Sequence, residues 1–107
     1  MASYGSETPV LDLLGTMTRA SFEASSLDER TVMLVRIAAL VAVDAPPVSY
    51  LTNLGAAGEI DIDADDVRGV LASVAPIVGT TKVVSATGKM LRALELEGLA
   101  AEVPGQE

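Results

Sequence analysis

The sequence contains no cysteine and no histidine. It therefore has no thiolate nucleophile, no disulfide, no imidazole acid or base, and neither of the usual protein ligands for zinc and copper. The side chains left for chemistry are mainly carboxylates, Arg, Lys, Tyr, Ser, Thr and Asn. We expect no cofactor and no metal site, and any catalytic mechanism would lack the commonest general acid near neutral pH.

Aromatic residues are almost as scarce, since only Tyr4, Phe22 and Tyr50 are aromatic while half of the 107 residues are apolar. A chain of this length supports one hydrophobic core. We predict a single domain over residues 1–107, with an aliphatic core from about 8 to 98 and frayed ends. The apolar content and positive mean hydropathy exceed what a small monomer can bury, which predicts a homo-oligomer.

Basic residues and long apolar runs are also lacking. Seven Lys and Arg against fifteen Asp and Glu give a net charge of −8, which argues against a nucleic-acid partner. No uncharged run approaches the roughly 20 residues that span a bilayer, so we expect no membrane partner. The start of the chain has no basic region ahead of an apolar stretch, so it is not typical of a signal peptide. We expect a cytoplasmic location.

The apolar residues recur at helical spacing, and two-residue hairpin turns are missing. Thr8 followed by Pro9 predicts the start of an amphipathic first helix. Ser26 with Glu29 has the spacing of a capping box, which predicts a second, largely apolar helix from Leu27 to about Val43.

Three further helices are predicted after the prolines at 46 and 47. The third runs from Pro47 to about Ala57. The fourth has Asp63 as its N-cap and extends to about Val74, followed by a break around Pro76. The fifth runs from about Thr80 to Glu97 and ends at Gly98.

Two short motifs resemble ligand sites without having the residues that such sites need. Asp61, Asp63 and Asp65 match the start of a calcium-binding loop, but the required glycine and bidentate glutamate are replaced by Asp66 and Ala72. Gly88-Lys89 resembles the end of a phosphate loop, but it lies nine residues after Gly79 where such a loop needs five. Met90 also stands where the loop needs Ser or Thr. We interpret the first as an acidic loop and Lys89 as a solvated helix residue.

Arg36 is the one charge in the apolar stretch of the second helix, and no acid lies three or four residues away on either side. A buried guanidinium needs an anion, from elsewhere in the fold or from a ligand. Alternatively, its stem lies on the core while its head reaches water or a neighbouring subunit.

Several segments together resemble the carboxymuconolactone decarboxylase family, which includes the alkylhydroperoxidase D-like proteins. They are Ser26-Leu27-Asp28-Glu29-Arg30, the apolar stretch Val32 to Val43, Val48-Ser49-Tyr50-Leu51-Thr52-Asn53 with Ala56-Ala57, Asp65-Asp66-Val67, and Ala75-Pro76-Ile77-Val78-Gly79. The resemblance covers about residues 8 to 97. It implies an all-α fold of about five helices with a central antiparallel helical hairpin, assembled into trimers or hexamers.

The chain departs from the redox members of that family at each catalytic position. Those members have a Cys-x-x-Cys pair, a His four residues later and an upstream Glu. The resemblance places the pair at Pro46 and Ser49, the His at Asn53 and the Glu at Met33 or Leu34. Because hydroperoxide reduction needs two thiols, we predict that the chain is not a peroxidase.

Two functional hypotheses remain. The first is an oligomeric binding or structural protein without redox chemistry. The second is a cysteine-independent decarboxylase or lactone-acting enzyme on a small carboxylated substrate, as the family resemblance allows.

The candidate pocket of such an enzyme would place Arg36 against a substrate carboxylate, with Ser49, Tyr50 and Asn53 as hydrogen-bond donors and Asp44 as proton acceptor. Each of these residues also has an ordinary structural interpretation, and we favour the first hypothesis because no group in the pocket titrates near neutral pH.

Overall fold

The computed structural model describes residues 7–102, with side chains as far as residue 95. Within that range the chain forms five α-helices and no strand. They are α1 (Pro9–Ala24), α2 (Glu29–Ala42), α3 (Pro47–Gly58), α4 (Ala64–Val78) and α5 (Thr80–Glu102). The predicted all-α class and the number of helices are confirmed.

The chain divides into two compact units, Met1–Val32 and Met33–Glu107. In the first unit, α1 begins with Pro9 at its first position, as predicted, although the Thr8 hydroxyl makes no capping bond to the backbone. None of the residues of α1, all of which are described, is buried. The first unit therefore has an amphipathic helix whose apolar side is open.

The start of α2 differs from the predicted Ser26–Glu29 capping box. The helix begins at Glu29, and the carboxylate of Asp28 accepts the backbone N–H of Thr31 at 2.8 Å. This hydrogen bond lowers the pKa of Asp28. Asp28 caps the helix because it directly precedes the first helical residue, whereas Ser26 lies too early.

The second unit has a core built on α2, α3 and α5. Residues of α2 at every fourth position form a buried stripe that Ala45, three residues after the helix, continues, while α5 contributes small residues and one methionine. The buried residues are Met33, Ile37, Val41 and Ala45, then Tyr50, Ala57 and Ile62, and finally Ala86, Met90 and Ala93. The helix α5 packs against both α3 and α4.

Helix α4 confirms one predicted boundary and corrects another. Asp63 and Asp66 form a reciprocal capping box, each carboxylate accepting the other's backbone N–H at 3.0 Å. The predicted break at Pro76 is wrong, because α4 continues to Val78 and ends at Gly79, whose φ is 92°. Pro76 removes one backbone donor in the last turn, and it lies with Ala72 on the exposed side, where solvent can hydrate the carbonyl left without that donor.

Helix α5 also extends beyond its predicted end. It passes through Gly98 and ends at Glu102, so Gly98 does not terminate it. A glycine inside a helix costs only about 1 kcal/mol, and the neighbouring Leu, Glu and Ala residues favour helix. The predicted frayed tail from Ala100 is therefore helical as far as Glu102, and residues 103–107 lie outside the described range.

Candidate functional site

The C-terminal end of α2 is the best-defined polar feature of the second unit. Asp44 has a φ of 55°, in the left-handed region that favours glycine. The backbone N–H of Asp44 donates to Val41 O at 3.2 Å, and that of Ala45 donates to Leu40 O at 3.0 Å. This is a Schellman motif with an aspartate in place of the usual glycine.

Three side chains of α5 converge on this end of α2. Lys89 Nζ lies 2.8 Å from Asp44 Oδ1 and 3.2 Å from the Asp44 carbonyl oxygen. Ser85 Oγ donates to the same Oδ1 at 2.7 Å, and Lys82 Nζ donates to Ala42 O at 2.9 Å. The two ammonium groups therefore offset the partial negative charge at the C-terminus of α2.

These contacts favour the ionised form of Asp44. Hydrogen bonds from Lys89 and then Ser85 lower its pKa, and the positive charge of Lys82 acts in the same direction. The carboxylate is therefore held ionised. A lowered pKa is the opposite of what a proton acceptor needs near neutral pH, since it makes the group a weaker base.

Lys89 is not the solvated residue that the sequence predicted, because it is bonded to Asp44 and its side chain is 28% exposed. Sequence reasoning missed Lys82, Ser85 and Lys89 as a group. Their spacing of three and then four residues places them on one face of the predicted last helix. That periodicity was the available signal, although it does not indicate which helix end they meet.

Tyr50 lies in the core, with none of its surface exposed. Its hydroxyl has no hydrogen-bond partner within the described part of the chain. Burial raises the pKa of Tyr50, and the negative charge of Asp44 raises it further. The tyrosine is thus neutral near pH 7 and could donate one hydrogen bond.

Ser49 and Asn53 lie one turn apart on α3, where both have backbone roles. Asn53 Nδ2 donates to Ser49 O at 2.8 Å, and Ser49 N donates to Pro46 O at 3.0 Å. Both residues are half-buried. The amide donor that would contact a substrate in the predicted pocket therefore already bonds to the helix.

Arg36 is half-buried on α2, two turns before Asp44. The cations that lower the pKa of Asp44 include Lys89 and Lys82 of α5. The structure therefore brings Asp44 together with three residues of α5 and joins Ser49 to Asn53, while the five-residue pocket stays a prediction.

The second unit also has an apolar groove across α3, α4 and α5. It consists of two adjoining depressions of about 270 and 350 Å³ that share Leu54 and Leu94. The apolar groove is lined by Leu51, Leu54, Gly55 and Gly58 of α3, by Ile62 with Val67 and Leu71 of α4, and by Met90, Leu91, Ala93 and Leu94 of α5. Asp63, Arg68 and Thr87 lie at its polar edge. None of the five predicted pocket residues lines this groove.

Within the described residues, no three carboxylates come together in a way that could hold a metal ion. No helix in this part of the chain is long and apolar enough to cross a membrane. Comparison with protein-family models, curated proteins and solved structures finds no match for the chain. The chain is an all-α protein over its described residues, with two lysines bonded to the C-terminal end of α2 and an open apolar groove across α3, α4 and α5.

Proposed function

We propose that this chain is a non-redox, self-associating binding or structural protein of the cytoplasm, built on a scaffold like that of the carboxymuconolactone decarboxylase family. The observation that carries the proposal is the open apolar side of α1. Val10, Leu13, Leu14 and Met17 are each at least half exposed, on a helix that has no buried residue. A face of this kind is typical of a protein that buries it against a partner.

The polar residues of the predicted pocket support a non-catalytic role. Asp44 is ion-paired with Lys89, and the side-chain amide of Asn53 donates to its own helix. The chain has neither cysteine nor histidine to replace them. Each of these polar groups thus has a structural function that a reaction would have to interrupt.

Sedimentation velocity at micromolar concentration tests the proposal. We expect the wild-type chain to sediment as an oligomer and Leu13→Glu to shift it towards monomer, because a carboxylate cannot be buried cheaply in an apolar contact. Thr16→Glu, on the polar side of α1, is the control and should leave the oligomer intact. A wild-type chain that is monomeric throughout contradicts the proposal.

One observation favours the alternative, a cysteine-independent decarboxylase or lactone-acting enzyme. The buried Tyr50 hydroxyl lacks a partner in the described part of the chain, and a substrate carboxylate could accept its hydrogen bond. A thermal-shift screen of small carboxylic acids tests this, since a bound ligand stabilises the folded state. The enzyme hypothesis requires a shift that both Arg36→Ala and Tyr50→Phe abolish.

A further inference from the structure

We propose that α1 of one copy docks in the apolar groove of a second copy, with its row of Val10, Leu13, Leu14 and Met17 facing α4 and α5. This inference rests on the self-association proposed above and names the two surfaces that meet. Both surfaces belong to the described part of the chain.

The apolar groove has the character of a surface that receives a helix. Its lining residues Leu91 and Leu94 are 60% and 56% exposed, so the groove is open along one side. At Gly55 and Gly58 an added Cβ would meet no heavy atom within 4 Å. The backbone of α3 is therefore accessible to large side chains of an incoming element.

The apolar row of α1 has the pattern that helices use to fill such grooves. Its four residues follow the i, i+3, i+4, i+7 spacing of a helix bound by one face. The opposite face of α1 is polar, with Asp12, Thr16, Arg19 and Glu23. A docked α1 would bury its apolar row and leave its charges in solvent.

The two surfaces match in length. The row from Val10 to Met17 spans eight residues, which is about 10 Å of helix from the first to the last Cα. The part of α5 that lines the groove, from Thr87 to Leu94, spans the same number of residues. One α1 helix can therefore cover the groove from end to end.

Charge also favours these surfaces for contact between copies. Each copy has a net charge of −8, so most pairs of surfaces repel each other. The apolar row of α1 has no charge, and the groove edge has one Arg68 for one Asp63. Arg68 at the groove edge is an exposed cation that also contacts Asp65.

Because every copy offers one helix and one groove, a single type of contact is repeated throughout the assembly. Two copies that each place α1 in the other's groove form a closed dimer. If the same contact relates each copy to the next by a smaller rotation, three or more copies form a closed ring. Either arrangement covers both apolar surfaces of each copy.

Disulfide trapping tests the contact directly, because the chain has no cysteine of its own. Met17→Cys and Leu91→Cys are prepared as separate chains, one of them with a size tag, and mixed under mild oxidation. Each chain then has a single thiol, so a mixed disulfide can form only between copies. We expect the mixed dimer at several times the yield obtained when Val84→Cys, an exposed α5 residue outside the groove, replaces Leu91→Cys.

Equal yields in the two mixtures would overturn the inference. So would efficient closure within one dilute chain that contains both Met17→Cys and Leu91→Cys, which would show that α1 covers its own groove. The yield is compared only between variants that match the wild-type helical circular dichroism.

Sedimentation separates this inference from the proposed function. We expect Leu91→Glu to dissociate the oligomer and Val84→Glu to leave it intact. If the oligomer survives both Leu13→Glu and Leu91→Glu, the proposal of self-association stands, but the proposed contact between α1 and the apolar groove is wrong. A monomeric wild-type chain overturns both proposals.

Discussion

Asp44 shows how one residue can stabilise a helix end in two ways. Its backbone adopts the left-handed conformation that ends α2, a conformation that aspartate tolerates better than most residues. Its carboxylate and the nearby carbonyl groups bind the two lysines of α5. The residue therefore connects α2 to α5 as well as ending α2.

We predict that Asp44→Asn lowers the melting temperature at neutral pH and removes an acid-dependent part of the stability. The pKa of Asp44 in the folded protein is lowered from 3.8. The stabilisation is therefore complete above that value and is lost as pH falls through the lower folded pKa. In urea unfolding, the difference between wild type and Asp44→Asn should shrink as the pH falls below 3.8.

A double-mutant cycle with Lys89→Met is the control for that prediction. If the ion pair is the source of the effect, Asp44→Asn should cost less stability in the Lys89→Met background than in the wild type. Equal costs in both backgrounds would assign the effect to the backbone conformation of Asp44 instead.

Tyr50 leads to a second prediction, because its buried hydroxyl has no partner in the described part of the chain. Tyr50→Phe should raise the free energy of unfolding by about 1 kcal/mol, since an unsatisfied buried polar group is costly. Tyr50→Ala, which removes the ring, should lower it by about 3–5 kcal/mol. A loss of stability in Tyr50→Phe would show that the hydroxyl has a partner in solution.

At the level of helices, local sequence signals predicted starts better than ends. Asp63 and Pro47 were recognised as helix starts because capping and fixed φ angles depend on neighbouring residues alone. The ends of α4 and α5 were missed because Pro76 and Gly98 weaken a helix without always ending it. The contact between Asp44 and α5 joins residues about 40 positions apart, so no local pattern could reveal it.

The capping box of α4 gives a prediction at this scale. Asp63→Ala should lower the free energy of unfolding by about 1 kcal/mol, because it removes the acceptor for the Asp66 backbone N–H. Asp63→Asn, which keeps an acceptor oxygen, is the matched control and should retain most of the stability. Chemical denaturation measures both, and equal losses would indicate that charge rather than capping is responsible.

Pro76 gives a second prediction at the helix scale. Pro76→Ala restores a backbone donor within the last turn of α4, and we expect it to raise the free energy of unfolding by about 1–3 kcal/mol. Ile77→Ala, at an 87% exposed neighbouring position, is the control and should change stability little. A destabilised Pro76→Ala would indicate that proline rigidity in the unfolded chain outweighs the missing hydrogen bond.

At the scale of the whole molecule, composition predicted surplus apolar surface, and the structure locates much of it. Leucines, valines and a methionine are exposed along α1, and further apolar residues are exposed on α5, which include Val84, Leu91 and Leu94. Composition could not indicate that these residues form a helix face in one unit and a groove in the other. That distribution depends on which residues the helices turn outward.

The net charge of −8 makes self-association sensitive to salt in a direction that distinguishes an apolar contact from an ionic one. Raising ionic strength from about 0.01 to 0.1 M shortens the screening length from about 30 to 10 Å and so weakens repulsion between acidic copies. We expect the dissociation constant for self-association, measured by sedimentation equilibrium in sodium chloride, to fall by about 3- to 10-fold over that range.

Leu13→Glu should remain dissociated at both salt concentrations, because screening does not remove the cost of burying a carboxylate. Association that weakens with salt would instead identify attraction between opposite charges as its source, and would contradict contact through the apolar row of α1 and the apolar groove.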